Sequence, residues 1–184
     1  NTLLMGEDPT KRVPAEYKYL PNQTICVLVR AEPETLFEYP QVQWEVSDHI
    51  RVALEANVKG LKVVDPKRVV EFQRRNAEWA RMDPAEIAKR FGAERVIEVV
   101  LTQYTTRDPD SPHIYRGHVH GLINVYRAKF PGHEPAYSAD VRTFYPPAQG
   151  GEWGQPERTI RRLLMEAFAQ DVAGKFYDRD VKEQ

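Results

Sequence analysis

The chain has a single cysteine, Cys26, in 184 residues. An internal disulfide and a cysteine zinc cluster are therefore excluded. No apolar run approaches the ~18 residues that a membrane-spanning helix requires. There is no block of like charge either, since 26 Lys and Arg stand against 27 Asp and Glu for a formal net charge of −1. The basic pairs Lys11 and Arg12, Arg74 and Arg75, and Arg161 and Arg162 are far apart in sequence and read as solvated faces. That distribution argues against a nucleic-acid partner and against direct binding to an anionic membrane surface. The phosphate-cradling GxxxxGKS/T, the dinucleotide GxGxxG, the GxSxG elbow and HExxH are all missing. No residue is thus expected to be catalytic, and no cofactor is expected. The sequence begins at Asn1, as expected of a chain that was processed or trimmed, and a removed signal peptide would leave no trace in it.

What the chain does contain is a strong strand signal. Arg95 to Thr106 reads RVIEVVLTQYTT, with a nearly continuous β-branched run that marks a central strand covered on both faces. Ile114 to Lys129 follows with apolar and polar residues alternating, as suits an antiparallel neighbour with one wetter face. Thr24 to Arg30, Leu61 to Val64 and Ala136 to Tyr145 supply three more strands. Cys26 lies within the first of these and reads as a small buried hydrophobe.

Helices separate the early strands. Val42 to Asn57 places Val42, Val46, Ile50, Ala53 and Leu54 at three- and four-residue steps, with His49 at the edge of the apolar stripe. Asp65 before Pro66, and Asp83 before Pro84, are N-cap and first-turn signals for two more. The first of these is expected to carry Val69, Val70, Phe72 and Trp79 inward. A last helix runs through Ile160, Leu164, Phe168 and Val172 to Phe176. The expected fold is α/β: a three-layer mixed five-stranded sheet with helices on both faces. Counted from Thr24, the strand order is 2-1-3-4-5, the first three parallel and the last two antiparallel. Residues 1–23 are expected to be an extended arm or tether, 24–178 one domain, and 179–184 a tail. Arg107 to His113, with two prolines and two aspartates, is expected to break the pairing. Gly117 and Gly121 fall on one face of their strand and are expected to admit a close helix or bend the strand.

Three sets of residues are candidates for function. Leu36, Phe37 and Tyr39, in the connection from Ala31 to Gln41, are either tucked under that loop or exposed for a partner, and with Trp153, in the Pro/Gly-rich linker before the last helix, are of the kind that anchors interfaces. Arg30, Asp65 and Arg107 stand at the carboxyl ends of the parallel strands, where α/β sheets bind small molecules or nucleotides, and define the alternative reading of a ligand-binding and enzymatic domain. His118 and His120 lie two apart on a strand and point the same way, which makes them weak candidates for a metal site, with Asp140 or His133 as the missing ligand.

The run GAERVIEV at Gly92 to Val99, with Ala88 and Phe91 before it and Val96 and Ile97 entering the long strand, carries a resemblance. Over about residues 24 to 178, the succession of elements resembles the envelope α/β modules that include the TolB N-terminal domain, the lipoprotein activator of a penicillin-binding protein and the curli-secretion lipoprotein. The resemblance implies a periplasm-facing, lipid-anchored module that has no catalytic site and whose partner is another cell-envelope protein. Its only attachment to a membrane would be a lipid on a cysteine upstream of Asn1. It carries no functional residue across.

Overall fold

The computed structural model describes residues 8–108, 110–147 and 154–183. Its elements in chain order are β1 (Thr10–Val13), β2 (Thr24–Ala31), α1 (Pro33–Glu38), α2 (Val42–Asn57), β3 (Lys62–Val63), α3 (Pro66–Arg75), a 3-10 turn (Ala77–Arg81) and α4 (Pro84–Arg90). Then come β4 (Arg95–Asp108), β5 (Ser111–Arg127), β6 (Tyr137–Tyr145), α5 (Glu157–Ala173) and β7 (Arg179–Lys182).

The main sheet runs β3-β2-β4-β5-β6. β2 pairs in parallel with β3 and β4, and β5 and β6 follow as antiparallel neighbours. The numbers differ from 2-1-3-4-5 because β1 precedes the strand at Thr24. Alternation along the strands sends one set of residues to each face. Val27, Val29, Ile97, Val99, Val119 and Ile123 pack under α2 and α5, whereas Cys26, Leu28 and Val96 pack with Val69, Phe72, Ile87 and Ala88 of α3 and α4. A bulge between Leu101 and Gln103 shifts the phase of β4, so that Leu101, Tyr104 and Thr106 are all buried.

Capping follows the sequence grammar. The Asp65 side chain accepts from the Lys67 amide at 3.0 Å and Asp83 from the Ala85 amide at 2.9 Å, each with proline in the first turn. Gly92 ends α4 with φ +66, a conformation that disfavours any residue with a Cβ. Gly117 and Gly121 do admit a helix: a Cβ on Gly117 would stand 2.6 Å from Leu164 Cδ2, and one on Gly121 2.7 Å from Phe168 Cζ.

Several expectations need correction. The second face of the sheet is only partly layered, because α3 and α4 lie over β3, β2 and β4. Beyond them Leu122 and Phe144 are more than a third exposed. The segment from Ala31 to Gln41 is not a plain loop, since Pro33 starts a helical turn there. α3 stops at Arg75, where the Asn76 side chain donates to the Phe72 carbonyl, and Trp79 belongs to the 3-10 turn beyond it. The Pro/Asp turn does not end the pairing at Arg107, since Asp108 stands opposite Ser111. Near the two ends of the described chain, β1 pairs antiparallel with β7, and the Glu16 and Tyr17 amides donate to the Lys175 carbonyl.

Candidate functional site

α2 and α5 each run antiparallel to a strand of the same direction, β2 and β6, so their N-termini emerge side by side at one end of the sheet. α1 lies at this end too. Six residues make less than two turns, so neighbouring side chains diverge by about 100° around the axis. Leu36 turns toward the core and Phe37, the next residue, is 90% exposed. Tyr39 closes the turn through its amide to the Thr35 carbonyl and is itself buried. Glu32, Glu34 and Glu38 surround Phe37 in sequence, all exposed, and among the described residues their carboxylates accept no hydrogen bond and form no ion pair. Of the loop residues named above, Phe37 is thus the one presented to solvent, while Leu36 and Tyr39 are structural. Trp153 lies outside the described residues.

Below α1 a polar network ties the helix ends to the sheet. The Tyr39 hydroxyl lies 3.1 Å from Thr106 Oγ1, which donates to Glu157 Oε1 at 2.8 Å. Tyr39 meets Tyr104 edge-on at 4.8 Å between ring centroids. The Arg161 guanidinium lies over the Tyr39 ring, 5.2 Å from its centroid, and donates to Glu45 at 2.6 Å. Burial pushes the Tyr104 hydroxyl up to about 12 and raises that of Tyr39 as well, so both stay protonated at neutral pH. Glu45 and Arg161 of this network, with His49, Arg158, Arg162 and Met165, line a groove of about 510 Å³ between the two helices. Arg161 is occupied by Glu45, and Arg162 pairs with Glu166 at 3.0 Å. Arg158 is exposed and unpaired among the described residues. The basic pair Arg161 and Arg162 is expected on a solvated face, but Arg161 is partly buried against Glu45; only the parallel packing of α2 and α5 makes one surface of it and Arg158.

The strand-end candidates hold different partners. Arg30 donates to Glu98 at 2.8 Å and to the Ala80 carbonyl at 2.8 Å, and it stacks under Trp79. Glu98 in turn accepts from Asn124, and Asn124 from Ser138, so this polar ladder crosses β2, β4, β5 and β6 on one face. Asp65 is used as a cap. Arg107 is exposed on β4, about 20 Å of strand beyond the residues that pair with Arg30.

His118 and His120 do share a face, and Asp140 does reach this site. His120 is committed on both nitrogens, Nδ1 to Thr102 at 2.8 Å and Nε2 to Asp140 at 2.6 Å. His118 stacks on Phe144 at 4.2 Å and 3°. Partial burial, with His120, Arg142 and Arg116 nearby, lowers its pKa and keeps it neutral. Among the described residues no three His, Cys, Asp or Glu side chains are placed to hold a metal ion. His133 lies apart, against Phe130.

The chain matches no protein-family profile and no curated protein. Solved structures share its path. PelC from Paraburkholderia phytofirmans, determined as a dodecamer, superposes with a TM-score of 0.51 over 91% of this chain and 98% of that one, at 9% identity. Looser likenesses are the lipoprotein GNA1162 from Neisseria meningitidis, with a TM-score of 0.46, 16% identity and 66% and 82% coverage, and a minor lipoprotein from Acinetobacter baumannii, with a TM-score of 0.43, 9% identity and 84% and 90% coverage. The similarity to PelC establishes a common fold for the two chains.

Proposed function

We propose that this protein is a non-enzymatic component of the bacterial cell envelope, a lipid-anchored α/β module on the periplasmic side that works by docking other protein chains. The observation that carries the reading is Phe37. An aromatic side chain that is 90% exposed on a short helix, beside three carboxylates with no partner among the described residues, leaves its apolar area unburied within the monomer. Burial against a partner would return that area, and such aromatics are the usual anchors of interfaces. The strand-end candidates support the same view, because Arg30 and Asp65 are each engaged by a neighbour in the fold and Arg107 stands apart from them, exposed farther along β4. The envelope placement rests on the resemblance carried by Ala88 to Ile97. The residues before β1 would lead to a lipid upstream of Asn1. PelC adds that a chain of this fold builds an assembly of many copies.

A photoreactive amino acid at position 37 of the full-length protein, in its own host, tests the docking claim. Irradiation should give an adduct with an envelope protein, and the same probe at Val52, an exposed position on α2, should give none. Equal labelling from both positions, or no adduct from 37, would contradict it.

A further inference from the structure

The groove and the knob lie at the same end of the molecule and are chemically complementary, and from this we infer that the partner of Phe37 is a second copy of this chain, bound about a two-fold axis. The inference rests on the docking role proposed for Phe37. On one side stands an aromatic ring among Glu32, Glu34 and Glu38, none of which has a partner among the described residues. On the other is the groove of about 510 Å³, roomy enough for the ring, where among the described residues Arg158 is unpaired and Arg162 is held only by an exposed neighbour four residues on, with the nearly buried Met165 as apolar lining. A thioether is a favourable contact for an aromatic edge, and the carboxylates would meet the guanidinium groups as the ring enters.

Geometry decides between a closed pair and an open chain. Tyr39 follows α1 directly and lies under Arg161 of the groove, so knob and groove are neighbours on one surface. Two patches side by side satisfy each other reciprocally across a two-fold axis. Each copy then gives its ring to the other's groove, and every contact occurs twice. The remaining cation of the groove, Arg161, stays with Glu45 and keeps the two helices at their spacing.

Charge reversal tests the inference with a built-in rescue. Glu34→Lys with Glu38→Lys, and separately Arg158→Glu with Arg162→Glu, alter exposed side chains only, so both variants should keep the native circular dichroism, the second losing the surface pair of Arg162 with Glu166. By sedimentation velocity the unmodified chain should approach twice its 21.3 kDa mass with rising concentration. Each variant alone should dissociate at least about tenfold more readily, as should Phe37→Ser. Mixing the two charge variants should restore the pair, because the introduced lysines of one copy would then face the introduced glutamates of the other, while the original charges face each other at the second contact. An unmodified chain that stays monomeric, a reversed variant that stays paired, or a mixture that does not recover would each overturn the inference. If the chain is monomeric yet position 37 still forms an adduct with a different envelope protein, the docking role survives and only the second copy is refuted; if neither is seen, both fail.

Discussion

Arg161 donates to the Glu45 carboxylate at 2.6 Å, and this bond joins α5 to α2 at the end of the sheet where α1 presents Phe37. Both side chains are mostly shielded from water, so the bond is not an ordinary surface pair. Glu45→Gln would leave the guanidinium half-buried against a neutral partner. It should cost about 1–3 kcal/mol in urea unfolding. Glu34→Gln, on an unpartnered exposed carboxylate, should stay within about 0.5 kcal/mol of the parent. Equal effects from the two would show that Arg161 gains nothing from Glu45.

The close approach of α5 to β5 gives a second expectation. A Cβ on Gly121 would stand 2.7 Å from Phe168 Cζ, and Phe168, only 1% exposed, has no free space to swing into. Gly121→Ala should therefore lower stability by about 1–3 kcal/mol. Phe168→Leu combined with it should cost less than the sum of the two single changes. Strict additivity in a double-mutant cycle would mean the backbone, not the ring, absorbs the methyl group.

How much of this could be read beforehand follows the range of the interactions. Val96 to Leu101 and the capped starts at Asp65 and Asp83 are local patterns, and the central strand and two helices stand where periodicity placed them. Gly117 and Gly121 pointed to a close helix, which α5 supplies. The pairing of β1 with β7 joins residues from opposite ends of the chain, and no local signal in Thr10 to Val13 marks it. The site shows the same division. Phe37 was legible as a loop aromatic, but its separation from Leu36 and Tyr39 depends on the short helix around it. The groove depends on α2 and α5 lying parallel, which places His49 beside Arg158 although 108 residues of sequence lie between them.

The arm itself should respond to acid through Glu16. Its carboxylate accepts from Lys175 Nζ at 2.8 Å and from the Tyr137 hydroxyl at 3.0 Å. The Lys175 bond holds it below the ordinary carboxylate range, with burial opposing and Tyr137 adding to the effect. Because the folded value lies below the unfolded one, at roughly 4.3, the stabilisation is complete above that pH and is lost as pH falls through the lowered folded value. The urea midpoint of Glu16→Gln should lie below that of the parent at pH 7, and the gap should close toward pH 3. A gap that is unchanged over this range would exclude the carboxylate as its source.

Cys26, on β2, is fully buried in the core beneath α3 and α4, and burial pushes its thiol up to about 12. Almost no thiolate exists at pH 8, and no path leads reagent to the sulfur. A disulfide reagent should leave the native protein untouched and react with one thiol per chain once urea unfolds it. Rapid native labelling would show that the second core opens readily beneath α3 and α4.

The most direct test of the envelope role is the state of the natural protein in its own host, followed by membrane fractionation and intact mass. The account predicts that it sediments with membranes and that its mass includes a diacylglyceryl-sized addition on a cysteine upstream of Asn1. Protein found entirely in the soluble fraction, with no such addition, would contradict a lipid-anchored envelope module.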